Sequence, residues 1–206
     1  MSVPVSLDFM FHENPSYSGP PKKGMRDFVI FTHRELHYWR SCQKIRKFKL
    51  IVDFPRTERF VKDIDLWIYF ATKLANVEDF ELECESGYEF PQFAYKNKSW
   101  RNLDLGFCTL NPLANVNWSG IVSLSFSYTY LTDDVMENIL SGCPNLECLK
   151  FYHFFGFRRL EIRNVKSRKL VIENLNHDDE RDVWLEIISP YIQNLKILGS
   201  CHEISL

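Results

Sequence analysis

Hydrophobic residues recur along this chain with one spacing: an apolar residue, another three positions later, and a third two positions after that. The eight triplets are Ile45/Phe48/Leu50, Val77/Phe80/Leu82, Trp100/Leu103/Leu105, Ile121/Leu124/Phe126, Leu146/Leu149/Phe151, Phe157/Leu160/Ile162, Ser167/Leu170/Ile172 and Ile192/Leu195/Ile197, of which one opens on Ser167. Alternate side chains of a strand point to opposite faces, so the last two members of each triplet share the buried face of a short strand. The first member enters from the preceding turn. Between the first two strands, Phe60, Val61, Ile64, Trp67, Ile68, Ala71 and Leu74 recur at helical spacing, opposite Glu58, Arg59, Lys62, Asp63 and Asp65, with Thr57 placed as N-cap. Thr132, followed by Asp133 and Asp134, predicts a second helix start, with Val135, Ile139 and Leu140 as its apolar face and Gly142 and Pro144 as its stop. A third helix is expected from about Asp179 to Ser189, burying Val183, Trp184, Ile187 and Ile188 before Pro190.

The middle members of the triplets are separated by 32, 23, 21, 25, 11, 10 and 25 residues. Several of these gaps fall in the range of leucine-rich repeats, and the third unit reads Trp100-x-x-Leu103-x-Leu105-x-x-Cys108-x-Leu110. The expected fold class is therefore α/β: an irregular, right-handed leucine-rich-repeat solenoid over residues 26–206, with a sequential parallel sheet on the concave side and helices and loops on the convex side. Gaps of ten and eleven residues leave no room for a helix, so tight loops turning at Gly156 and Asn164 are expected there. An amphipathic stretch from Phe28 to Trp39 is expected to cap the first strand edge. Residues 1–25, with Pro4, Pro15, Pro20, Pro21, Gly19 and Gly24, read as an extended or partly disordered lead-in.

Composition narrows the partner. A 206-residue chain with 45% hydrophobic residues can bury a continuous core, and a formal net charge of −2 implies no sequence-blind grip on nucleic acid or an anionic membrane. No apolar run reaches a membrane-spanning length, and no secretory signal opens the chain; the expectation is an intracellular protein of the cytoplasm, the nucleus or both. Six cysteines lie scattered through hydrophobic segments and are expected as reduced, mostly packed thiols.

The segment Asp65-Leu-Trp67-Ile68-x-x-Ala71 followed by Val77-x-x-Phe80-x-Leu82, and the segment from Leu131-Thr-Asp-Asp134 to Leu140-Ser-Gly142-Cys143-Pro144-Asn-Leu146-Glu147-x-Leu149, resemble the repeat region of plant F-box/leucine-rich-repeat proteins. The resemblance covers roughly residues 26–200. It implies that the repeats recruit a protein for ubiquitination, while an F-box docks on the adaptor of a cullin ligase. Val3-x-Val5-x-Leu7-x-Phe9 resembles the stretch that follows an F-box, so direct adaptor binding is not expected of this chain.

Candidate chemistry is sparse. The eight glycines form no phosphate-cradling loop, and no nucleophile, acid or base stands at a recognisable catalytic spacing, so neither enzymatic activity nor a cofactor is expected. His33 and His37 lack a marked third ligand, and Cys143 and Cys148 lack a second pair, so no metal site is expected. The architecture itself creates the remaining surface: side chains flanking the buried strand positions face outward in lateral rows. These rows bring Lys47 and Lys49 beside Asp79 and Glu81, then a flat patch with Ser123 and Ser125, then Lys150 and a basic zone with Arg159 and Arg163. Tyr128, Tyr152, His153 and Phe155 are expected along one rim as aromatic contact anchors, with Phe154 turned into the core. The expected partner is a protein. The alternative is a small-molecule receptor, in which Lys150, Arg159 and Arg163 converge on a concave pocket.

Overall fold

The computed structural model describes residues 5–12, 23–41, 45–53, 59–174, 185–199 and 204–205. Among the described residues, eleven strands run β1 Val5–His12, β2 Ile45–Asp53, β3 Asp79–Glu89, β4 Asn102–Thr109, β5 Ser123–Ser127, β6 Cys148–Tyr152, β7 Arg159–Glu161, β8 Lys169–Glu173, β9 Leu185–Ile188, β10 Asn194–Leu198 and β11 Ile204–Ser205. The α-helices described between them are α1 Lys23–Trp39, α2 Val61–Tyr69 and α3 Asp133–Ser141.

Eight strands form one parallel sheet in the order β1-β2-β3-β4-β5-β6-β8-β10. Its register aligns Leu7, Phe48, Phe80, Leu103, Leu124, Leu149, Leu170 and Leu195 in one lateral row, and Phe9, Leu50, Leu82, Leu105, Phe126, Phe151, Ile172 and Ile197 in the next. Both rows are buried except at the β10 edge, where Ile197 is 38% exposed. Much of the core is stacked aromatic area. Phe48 lies 5.9 Å from Phe80, Phe80 4.9 Å from Trp100, and Phe126 5.8 Å from Phe151. Offset stacking of this kind adds about 0.5–1.5 kcal/mol per pair beyond burial itself.

Successive repeats are also tied by side chains reaching back to the preceding turn. Asn97 Nδ2 donates to Thr72 O, Trp118 Nε1 to Ala94 O, Asn145 Nδ2 to Ser119 O and Asn164 Nδ2 to Cys143 O. The polar exception among the triplets belongs to this set: buried Ser167 donates its hydroxyl to Leu146 O at 2.9 Å. A serine is accepted there because its polar group is paired.

Several expectations change. The lead-in contributes β1, which pairs with β2 in parallel, so residues 5–12 belong to the sheet. Helix α1 is then a crossover between two parallel strands, not an edge cap. It packs on α2 through Phe28 and Trp67 at 5.8 Å and through His33 Nε2 and Asp63 Oδ1 at 2.9 Å. Thr57 lies outside the described residues. Helix α2 runs directly into a π-helical turn over Phe70–Leu74, where Ala75 N–H donates to Phe70 O five residues back. The extra residue rotates the helix face, burying Phe70 and leaving Leu74 47% exposed.

The triplet around Leu160 leaves the main sheet. β7 forms a second parallel sheet with β9 and β11 in the order β11-β9-β7, and β6 pairs directly with β8. Six residues between β6 and β7 cannot carry a crossover to the next position of a parallel sheet, whereas the sixteen between β6 and β8 can. The chain therefore places β7 in the layer of α3, where Asp133 Oδ1 accepts from Arg158 N–H and Arg159 N–H at 3.0 Å each. Residues 185–188 are the strand β9 and not a helix: Leu185 and Ile187 are buried in alternation, with Ile187 opposite Leu160. The remainder of that expected helix lies outside the described residues. Helix α3 follows expectation. The Thr132 hydroxyl accepts from Val135 N–H, and Gly142 is the C-cap.

Among the described residues no helix is long and apolar enough to cross a membrane, and no group of three His, Cys, Asp or Glu is placed to hold a metal ion. Cys84 is buried, Cys108 and Cys143 are buried free thiols and Cys148 is a half-buried one, while Cys42 and Cys201 lie outside the described residues. Burial pushes the Cys143 thiol up to about 12.

Candidate functional site

The face turned away from the helices is the concave surface of the solenoid, and the register reads it out in rows. The first row runs Ser6, Lys47, Asp79, Asn102, Ser123, Cys148, Lys169, Asn194, and the second Asp8, Lys49, Glu81, Asp104, Ser125, Lys150, Val171, Lys196. The third runs Met10, Ile51, Glu83, Gly106, Ser127, Tyr152, Glu173, Leu198. Asp79, Glu81, Ser123, Ser125 and Lys150 thus stand together as the sequence implies. With Asn102, Asp104 and Lys47 they line a shallow hollow of about 270 Å³ over β3–β6. The serines make it, because they leave space between longer neighbours.

Charge in and around the hollow is unevenly spent. Lys49 and Lys47 both reach Glu81, the latter at 3.1 Å. Asp79 takes Arg46 at 3.4 Å and the Asn102 amide. Burial alone would raise the Glu81 carboxyl, yet the hydrogen bonds from the two lysines outweigh it and hold the group below its ordinary value. Asp104 and Glu83 move the other way. Burial raises both, and repulsion from Glu81 adds to it in each case. The Ser125 hydroxyl tempers the rise at Asp104 without closing a well-formed hydrogen bond; Ser125 itself is only 5% exposed, and its Oγ has no partner. Composition offers no signal for Asp104. Its position follows from the register, since it sits between Glu81 and Ser125 in the second row.

One step beyond the third row the strands end in a ladder. Phe107, Tyr128, His153 and Asn174 all adopt the left-handed conformation, with φ of 57°, 50°, 49° and 51°, and Gly199 follows at 73°. Stacked in register, the Phe107 and Tyr128 rings lie 4.5 Å apart and 5° from parallel, and Tyr128 and His153 lie 4.6 Å and 10°. Asn174 Nδ2 donates to His153 Nε2 at 3.2 Å. Both faces of Tyr128 are covered, so the ladder presents ring edges and the tyrosine hydroxyl to solvent, with Tyr128 46% exposed. Phe107 belongs to this strip although the aromatic rim was expected to start at Tyr128; the residue after Gly106 in the register is the signal that finds it.

Tyr152 lies half-buried in the third row, and His153 stands in the ladder. Phe155 packs on Tyr130 at 5.4 Å just outside it, and Phe154 is buried, 4.9 Å from Phe151 and from Phe157. Arg159 and Arg163 do not join this face. They follow β7 to the convex layer and line a separate cavity of about 380 Å³ beside α3. Glu161 faces both, with Arg163 Nε at 2.7 Å and Arg159 at 3.6 Å, and Glu186 also takes Arg159. The basic trio that would hold an anionic small molecule on the concave face is therefore not assembled.

Residues 38–205 match the family model described as At1g61320/AtMIF1, LRR domain. The chain is 32% identical over 145 residues to the F-box/LRR-repeat protein At3g03360 of Arabidopsis thaliana, covering 67% of this chain and 29% of that protein. It is 30% identical over 159 residues to the F-box protein At5g03100 of the same plant, covering 76% of this chain and 49% of that protein. The putative F-box/LRR-repeat protein At5g02930 is 27% identical over 164 residues, 78% of this chain and 34% of its own length. The chain thus spans between 29% and 49% of the length of these relatives. No solved structure matches it.

Proposed function

The chain belongs to the leucine-rich-repeat family of At1g61320/AtMIF1, and on that premise we propose that its concave face recognises a target protein, as the repeat region of an F-box ubiquitin-ligase subunit does. The observation that carries the reading is the continuous eight-stranded parallel sheet, which brings outward side chains from strands more than a hundred residues apart into unbroken rows beside a rigid aromatic strip. Protein contacts favour such a surface: small side chains leave room for a loop, and aromatic edges bury area at little entropic cost. The module acts by binding, without catalysis of its own, in the cytoplasm or nucleus, where a ubiquitin ligase meets its substrates.

The test is affinity capture from plant tissue extract with the wild-type chain, the concave variants Asp79→Lys/Glu81→Lys and Tyr128→Ala/Tyr152→Ala, and the convex variant Arg159→Glu/Arg163→Glu. The expected result is one protein recovered by wild type and by the convex variant and lost by at least one concave variant. Loss on the convex variant alone, or equal recovery by all, overturns the assignment of this face.

A further inference from the structure

Taking the concave face as the protein-binding surface, we propose that the hollow over β3–β6 receives one lysine or arginine side chain of the bound protein, its cationic group held between the Asp104 carboxylate and the Ser125 hydroxyl. Two observations point there. The first is electrostatic. Of the three carboxylates lining the hollow, Glu81 is shared by Lys47 and Lys49, and Asp79 is taken by Arg46 and Asn102. Asp104 has no ion pair among the described residues, although it stands half-buried beside Glu81. A carboxylate so placed bears a desolvation cost that an incoming cation offsets.

The second observation is the Ser125 hydroxyl. It lines the same hollow, adjacent to Asp104 in the register, and is buried without a hydrogen-bond partner. Buried polar atoms are rarely left unpaired, and an orphan hydroxyl on a residue that lines a hollow can accept from a donor that enters it. Ammonium and guanidinium groups bring several donors and no acceptor, which matches a carboxylate and a hydroxyl side by side. Burial first and Glu81 second raise the Asp104 carboxyl, and Lys150 and Lys49 offset this only in part.

Lys150, across Ser125 in the same row, is the opposing feature. It lines the hollow half-buried and its charge already favours the Asp104 carboxylate, so it must yield to an incoming cation, as its long stem allows. It disfavours a second cation in the hollow and offers a donor to a backbone carbonyl of the bound segment. Both faces of Tyr128 in the neighbouring strip are covered, so that ring offers no face to the cation, which is held by oxygen atoms.

Titration of the ¹⁵N-labelled full chain with N-acetylarginine amide, N-acetyllysine amide, the uncharged N-acetylcitrulline amide and N-acetylglutamate amide tests this. Saturable amide shifts centred on Asp104, Ser123 and Ser125 are expected with the two cationic probes and absent with the other two. Asp104→Asn should weaken the arginine probe about tenfold, as loss of a charge-assisted hydrogen bond does. Ser125→Ala should weaken it by roughly threefold, and Lys150→Gln should tighten it. Neither Asp104→Asn nor Ser125→Ala is expected to unfold the chain, and the unshifted spectrum outside the hollow verifies that. Equal binding of citrulline, saturation by glutamate, shifts mapping elsewhere, or indifference to Asp104→Asn would each overturn the cation site. If the site fails while capture still depends on the concave variants, protein recognition by this face stands; if the probe binds but capture ignores those variants, the wider reading falls.

Discussion

Replacing Tyr128 separates two energies that the aromatic ladder combines. Its ring stacks on Phe107 and His153, and each such pair contributes about 0.5–1.5 kcal/mol, so truncation removes about 1–3 kcal/mol. Its backbone, at φ 50°, lies where an L-residue with a Cβ pays about 1–2 kcal/mol relative to glycine. Tyr128→Ala loses the stacking and keeps the backbone cost. Tyr128→Gly loses the same stacking, sheds the backbone cost, and gives back about 0.4–1 kcal/mol through the freer unfolded chain. Both variants should therefore be less stable than wild type, with the glycine variant above the alanine variant by roughly 0.5–1 kcal/mol, the reverse of the usual order. Tyr152, in regular strand conformation, is the control, and there alanine should exceed glycine. Guanidinium unfolding followed by far-ultraviolet circular dichroism reads the order directly from the midpoints. Alanine at or above glycine at position 128 would refute the claim that the ladder is held in a strained backbone by its stacking.

Ser167→Ala removes the donor from Leu146 O at a buried turn and should cost about 1–2 kcal/mol, measured as a shift in the same midpoint, whereas Ser125→Ala, whose hydroxyl has no partner, should be neutral or stabilising. Asp104→Asn should stabilise the chain at neutral pH. The native carboxyl is raised by burial and then by Glu81, against smaller opposing effects of Ser125, Lys150 and Lys49, so its penalty is present above the raised native value and vanishes below the ordinary value of 3.8; the variant's advantage in urea unfolding should shrink as pH falls through that window. Glu81, held low by its lysines, has the opposite sign: its contribution is present above 4.5 and lost as pH falls through the depressed value, so Glu81→Gln should be more costly at pH 7 than at pH 3. Gly120→Ala would place a Cβ 2.3 Å from Lys98 O and 2.7 Å from Trp100 O, both backbone atoms that cannot step aside, and should lower the thermal midpoint by several degrees.

The triplet pattern alone determined the mutual register of β2 to β6 and β8, though it kept β7 in the same sheet and left β1 out of it. Phe48, Phe80, Leu103, Leu124, Leu149 and Leu170 share one row because a half-buried parallel strand demands period two and the first member of each triplet sets its phase. The register neighbours Lys47 and Asp79, Lys49 and Glu81, and Ser125 and Lys150 followed without further information, whereas the ion pairs did not all follow the rows, since Lys47 reaches Glu81 and Asp79 takes Arg46. Where pattern failed, distance was the reason. Phe157/Leu160/Ile162 has the spacing of the other triplets, but only crossover length and the partner strand β9 decide that it belongs to a second sheet, and Arg159 and Arg163 leave the concave face with it. Residues 185–188 show apolar positions compatible with either period, and pairing to β7 selects the strand. The left-handed backbone at Phe107, Tyr128 and His153 contradicts local preference altogether. The same conformation continues at Asn174 and Gly199, which carry no ring, so it belongs to the shared register, where Tyr128, His153 and Asn174 each donate a backbone N–H to the next strand; ring stacking adds to it, and both arise only when the strands lie side by side.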